Sequence, residues 1–259
     1  MTDKNALQIH MFPCLSDNYG FLVHDPASRQ TASIDTPDAD VISRELEARN
    51  WQLTHILNTH HHFDHAGGNL QLKEHYACRI YGPAHDAERI PGMDIRLKEG
   101  DILTLGAHEI RVMETPGHTS GHIVYYLPQQ RILFAGDTLF SVGCGRLFEG
   151  TPAQMWDSLG KIMALPEDTT IYCAHEYTLN NIEFARSIDR NNKDLERYYQ
   201  EARQLRSENR PTLPTTLSLE LRVNPFLRPD APAIAETLGA GDSETLARFA
   251  EIRRRKDRF

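Results

Sequence analysis

The segment Thr59-His60-His61-His62-Phe63-Asp64-His65 places four histidines and a carboxylate within seven residues, a donor density that points to a metal site rather than a solvated loop. In a helix, His60 and His62 would point about 200° apart and could not share an ion. An extended turn puts His60, His62 and Asp64 on one side. The helical zinc-protease pattern is excluded, because it needs a glutamate directly after the first of two histidines four apart, and His61 stands there. Three further donors follow strand-like segments and stand next to small residues: His118 after Gly117, Asp137 after Gly136 and His175 after Ala174. Small neighbours let backbone and metal approach closely. The candidate ligands are therefore His60, His62, Asp64, His65, His118, Asp137 and His175. This set exceeds what one tetrahedral zinc takes, and mixed nitrogen and oxygen donors suit a pair of zinc, iron or manganese ions. A carboxylate can bridge such a pair, and water between two cations about 3.5–4 Å apart is a hydroxide near neutral pH.

Other chemistries fit less well. Thr119-Ser120-Gly121-His122 sets a serine near a histidine, but no G-x-S-x-G elbow surrounds it. Cys144 lies in Gly143-Cys144-Gly145-Arg146 without an identifiable histidine partner and is read as a buried structural thiol. His61 is expected to support the loop, and His122 is either a donor behind the ligands or a plain strand residue. His10, His24, His55, His75, His85 and His108 show no partner pattern.

The elements that must position these donors are legible as alternating short segments. Strands are predicted at Leu7–Phe12, Gly20–His24 and Thr31–Ile34, a helix at Asp38–Asn50, and a strand at Leu53–Asn58 that leads into the histidine cluster. Gly67-Gly68-Asn69 opens a helix through Tyr76, so the cluster occupies a strand-to-helix loop held by rigid elements. Strands are again predicted at 101–105, 109–114, 122–127, 131–135 and 169–173. Between them Thr151 and Pro152 cap a helix that runs to Leu165. From Glu176 onward the pattern turns helical, over Tyr177–Asp189, Lys193–Asn209, Ala231–Leu238 and Ser243–Lys256, with the proline-bearing stretch Arg210–Pro229 interrupting it. A boundary near residue 175 separates a first domain, 1–175, from a smaller helical one, 176–259.

The 259 residues are 40% hydrophobic and 25% charged, the balance of a soluble globular protein. The first ten residues hold no apolar core of signal-peptide length, and no run approaches the roughly 18 apolar residues of a membrane span. A cytoplasmic location and no membrane partner are expected. Cys14, Cys78, Cys144 and Cys173 are widely spaced, without a C-x-x-C pair, and are read as reduced structural thiols. The net charge of −8 disfavours a nucleic-acid partner. Residues 176–259 carry 15 basic against 14 acidic side chains, leaving 13 against 22 in residues 1–175, an acidic half that two bound divalent cations would offset.

Residues 59–65 followed by His118, Asp137 and His175 resemble the metallo-β-lactamase superfamily. Ser141-Val142-Gly143-Cys144-Gly145-Arg146-Leu147-Phe148-Glu149-Gly150-Thr151, His175-Glu176-Tyr177-Thr178-Leu179-Asn180-Asn181, Asn224-Pro225-Phe226-Leu227-Arg228 and the terminal Arg253-Arg254-Arg255-Lys256-Asp257-Arg258-Phe259 are similar, within it, to the glyoxalase II (hydroxyacylglutathione hydrolase) family. The resemblance implies an α/β fold, a four-layer αββα sandwich with a smaller C-terminal helical domain that binds glutathione. It implies that His60, His62 and His118 hold one metal and Asp64, His65 and His175 the other, with Asp137 bridging; zinc is expected, iron or manganese being alternatives. The reaction implied is hydrolysis of the thioester of S-D-lactoylglutathione, and of other 2-hydroxyacylglutathiones, to D-lactate and glutathione by a metal-bridged hydroxide that Asp64 orients. This is the second step of methylglyoxal detoxification. Arg146, Tyr177, Arg253 and Lys256 are the implied contacts to glutathione, and Phe148 stands where many members have tyrosine, so a hydroxyl contact is absent. Arg253 and Lys256, three apart, share one face of a helix. A monomer is expected. The alternatives are a persulfide dioxygenase, which lacks the helical C-terminal domain, or another binuclear hydrolase of the superfamily.

Overall fold

A computed structural model describes residues 6–239 and 244–259. Its contacts divide into two units, one built from residues up to Glu114 together with Ser120–Gly136, the other from Thr115–Thr119 together with Asp137–Phe259.

In the first unit, β1 (Gln8–Cys14), β2 (Asn18–Asp25) and β3 (Gln30–Ile34) pair antiparallel. From β3 the sheet turns parallel through β4 (Leu53–Leu57), β5 (Arg79–Pro83) and β6 (Ile95–Leu97). Parallel neighbours need crossovers. These are α1 (Ala39–Arg49) between β3 and β4, α2 (Phe63–Ala66) with α3 (Asn69–Tyr76) between β4 and β5, and a loop with a 3₁₀ turn at Ala84–Asp86 between β5 and β6. The predicted helix at 38–50 forms because both its ends are satisfied: the Asp38 carboxylate accepts from the Asp40 and Val41 amides, and Asn50 closes it in a left-handed conformation (φ 54°). Ile42 and Leu46 of α1, Leu72 of α3 and Leu22, Ile56 and Ile80 of the sheet form one buried cluster, each such side chain contributing about 1.5–3 kcal/mol. The second sheet contributes β7 (Ile102–Leu105), β8 (His108–Glu114), β9 (Ile123–Leu127) and β10 (Ile132–Gly136), antiparallel in the order β10-β9-β8-β7.

In the second unit, Asp137 leads into a tight hairpin of β11 (Leu139–Phe140) and β12 (Gly143–Cys144). Then α4 (Pro152–Met163) starts on the predicted cap: Thr151 and Gln154 bond reciprocally in a capping box. β13 (Thr170–Cys173) pairs with β14 (Thr215–Thr216), and between them run α5 (Thr178–Ile188) and α6 (Lys193–Ser207). The proline-bearing stretch that interrupts the helices, 210–229, contains besides β14 the short helix α7 (Leu217–Val223), capped by Thr216. Seven residues between prolines are too few to show a helical period. α8 (Pro232–Leu238) and α9 (Thr245–Lys256) close the chain; Ser243, the expected start of the last helix, lies outside the described residues.

Candidate metal centre

Each candidate ligand in the first unit is positioned by the end of β4. After that strand the chain bends at Thr59 and His60, and α2 begins after His62, whose carbonyl accepts from the amides of His65 and Ala66. The extended turn expected to align His60, His62 and Asp64 therefore ends at His62, and Asp64 and His65 lie on a turn of helix. A carboxylate suits that position, facing the positive end of the helix. His60 Nε2 and His62 Nδ1 are 3.0 Å apart, and His65 Nε2 is 3.4 Å from Asp64 Oδ2. Two donors about 2.1 Å from one ion at a near-tetrahedral angle lie roughly 3.4 Å apart, so these pairs fit a shared cation. Asn18 Nδ2 donates to Asp64 Oδ2 at 3.0 Å and steadies it.

Behind these ligands stands Asp35, which the sequence did not reveal. It is buried, in a left-handed conformation (φ 57°), and accepts from the Thr59 amide (2.7 Å) and the Thr59 hydroxyl (2.8 Å) while lying 2.8 Å from His65 Nδ1. A bond of this kind fixes the ring so that its other nitrogen faces the metal. The only local hint is that an aspartate tolerates positive φ directly after a strand. His122, read with two possible roles, is fully buried with its ring stacked on His60, centroids 4.8 Å apart.

The second unit supplies His118, Asp137 and His175, all buried. His118 Nδ1 donates to the Arg146 carbonyl at 2.8 Å, leaving Nε2 available to a metal ion. The two carboxylate oxygens of Asp137 face different imidazoles: Oδ2 is 3.4 Å from His118 Nε2 and Oδ1 is 3.4 Å from His175 Nε2. Gly145 is forced by this arrangement, since a Cβ there would lie 2.0 Å from the Asp137 carbonyl oxygen. The β11–β12 hairpin after Asp137 turns through Val142 at φ 58°, costly for a branched side chain. Buried Glu220 offsets the strain by accepting the Val142 amide (2.8 Å), and Asn224 Nδ2 donates to the carbonyls of Phe140 and Gly143. The Asn224-Pro225-Phe226 motif thus serves to hold that hairpin.

Among the described residues, the side chains whose donor atoms could hold a metal ion are His60, His62, Asp64, His65, His118, Asp137 and His175. This set of histidine and aspartate donors is consistent with a binuclear metal site. The expected glutathione contacts lie in the second unit. Tyr177 stacks on His175 at 4.7 Å, Phe148 is 60% exposed, and the Arg146 guanidinium lies 5.9 Å from the Phe148 ring. Arg253 is buried, donating to Cys144 O (2.8 Å) and Asp257 (2.9 Å). Lys256 bonds Asn180 and lies over Phe184 and Phe259. Burial first, and then the charge of Arg253, push its amine down to about 8. All four cysteines are buried and none forms a disulfide; burial pushes the Cys14 thiol up to about 12 and those of Cys78 and Cys144 up to about 11, which leaves them poor nucleophiles.

Residues 25–175 match a family model described as the metallo-beta-lactamase superfamily, and residues 176–259 one described as hydroxyacylglutathione hydrolase C-terminus. The chain is 54% identical over 255 residues to a hydroxyacylglutathione hydrolase of Maricaulis maris, covering 98% of this chain and 100% of that protein. To one of Hyphomonas neptunium it is 51% identical over 254 residues, covering 98% of each. Among solved structures, ETHE1 from Myxococcus xanthus superposes with a TM-score of 0.68 at 26% identity, covering 96% of this chain and 90% of that one.

Proposed function

The chain belongs to the hydroxyacylglutathione hydrolases of the metallo-beta-lactamase superfamily, and on that premise we propose that it hydrolyses the thioester of S-D-lactoylglutathione and other 2-hydroxyacylglutathiones. The products are the hydroxy acid and glutathione, the second step of methylglyoxal detoxification. The fold is the α/β sandwich of that superfamily followed by a C-terminal helical domain. We place the functional boundary between 175 and 176, with catalysis before it and glutathione binding after it.

The observation that carries the reading is Asp137, whose two oxygens each face a different histidine, the disposition of a carboxylate shared by two ions. His60, His62 and His118 would hold one, and Asp64, His65 and His175 the other. Zinc is the proposed metal, iron and manganese being compatible with the same donors. When bound, the pair supplies Lewis acidity, acidifying water and polarising the thioester carbonyl. Asp64, steadied by Asn18, accepts a hydrogen bond from the attacking water and orients it. Lys256, Arg253 and Arg146 offer cations to the glutathione carboxylates, the Tyr177 hydroxyl offers a donor, and Phe148 offers an apolar face alone. No described helix is long and apolar enough to cross a membrane. We propose a monomer acting in the cytoplasm.

S-D-lactoylglutathione turnover by the purified protein is expected to vanish on chelation and return with zinc. A metal-loaded sample without turnover would overturn the substrate assignment; oxygen uptake with a persulfide would then support the dioxygenase alternative. The low amine pKa of Lys256 adds a pH dependence. Below about 8 the amine is charged and attracts a carboxylate, and above it the charge is lost. KM for glutathione thioesters should therefore rise from pH 7 to 9, and Lys256→Arg, charged throughout, should flatten that rise. An unchanged slope in the variant would remove Lys256 from the binding site.

A further inference from the structure

His61, between two ligands, is itself held by a buried pair. Asp86 closes the 3₁₀ turn Ala84–Asp86 after β5 and is 0% exposed. Its Oδ2 lies 3.1 Å from His61 Nδ1, and its Oδ1 accepts from Arg89 Nη2 at 2.6 Å. Arg89 Nη1 reaches His61 Nε2 at 3.2 Å, and Arg89 Nη2 reaches Ser120 Oγ at 3.1 Å. A guanidinium only donates, so Nε2 of His61 accepts and the ring proton sits on Nδ1, donated to Asp86. The ring is thus pinned at both nitrogens. On its other side the carboxylate lies against Gly121, where a Cβ would come within 2.1 Å of Asp86 Oδ1. No larger residue fits there with the carboxylate in place.

We propose that Asp86, with Arg89, is a positioning residue for one metal of the pair. It grips the chain at two places: at His61, whose neighbours are His60 and His62, and at 120–121, two and three residues after His118. These are the three ligands assigned above to a single ion. Asp64, His65 and His175 are not attached to it, and His65 is oriented instead by Asp35. A buried carboxylate is costly unless fully bonded, and here one oxygen is held by His61, between His60 and His62, and the other by Arg89, which itself reaches Ser120. The inference rests on the two-metal reading.

The test is metal stoichiometry by elemental analysis after zinc loading and desalting, on the full chain. Wild type should hold two zinc ions. Asp86→Asn, which keeps the shape but replaces an acceptor with a donor, should hold about one, with the affinity of the lost ion weakened roughly 10- to 100-fold, as for other partners that orient metal ligands. Arg89→Ala, at a partly exposed position that tolerates truncation, should weaken the same ion by a smaller factor. kcat should fall in both variants, while KM for the glutathione thioester stays within about twofold, because the proposed thioester-binding cations are elsewhere. Two tightly held ions in both variants, or loss of both ions together, would overturn the positioning role. Fewer than two ions in wild type would instead fail the two-metal reading, and this proposal with it.

Discussion

Asp137→Asn is expected to lower bound metal and thioester hydrolysis together, with kcat/KM falling about 10²- to 10³-fold, since the bridging role proposed for this carboxylate would support several kcal/mol of Lewis-acid stabilisation and each 1.36 kcal/mol is tenfold in rate. The geometry gives the reason. One oxygen faces His118 Nε2 and the other His175 Nε2, each at 3.4 Å. An amide keeps the size but offers one acceptor oxygen, and its NH2 group points a donor at the second imidazole. Metal content by elemental analysis and hydrolysis of S-D-lactoylglutathione, measured on the same preparation, check the coupling. Full activity with normal metal loading would end the bridging role.

The second large effect belongs to the basic end of α9. With Arg253→Ala and Lys256→Ala combined, KM for glutathione thioesters should rise roughly 10- to 100-fold, because hydrogen bonds to charged groups contribute about 1.5–3 kcal/mol each and part is recovered by water. Metal content should stay at the wild-type level. The single variants should differ. Lys256 bonds Asn180 at the surface, so its removal should change KM and leave the melting temperature near wild type. Arg253 is buried, with Nη1 on the Cys144 carbonyl and its guanidinium 5.0 Å from the Phe226 ring. Its loss leaves that carbonyl unpaired, at a cost of about 1–3 kcal/mol, and should lower the melting temperature as well as raise KM. If KM stays put in the double variant, Arg253 is only a clamp between α9 and β12.

What the sequence by itself determined is the chemistry that residue type and short spacing can encode. The H-x-H-x-D-H cluster named its donors, Thr151 with Pro152 marked the start of α4, and apolar periodicity gave α1, α5, α6 and the alternation of strands with helices, because each of these depends on neighbours within a turn or two. Only the tertiary structure placed the carboxylates behind the donors. Asp35 meets His65 across 30 positions, Asp86 meets His61 across 25, and Glu220 meets the Val142 amide across 78. None of the three has a period or motif of its own. The same holds for Asp64, which local spacing put on an extended turn and folding put on a helix, since the bonds from Thr36 to the His65 carbonyl and from Gly68 to the Thr36 carbonyl that brace that turn come from a distant loop. Local pattern selects which atoms can bind a metal; burial and long-range hydrogen bonds decide how those atoms are held.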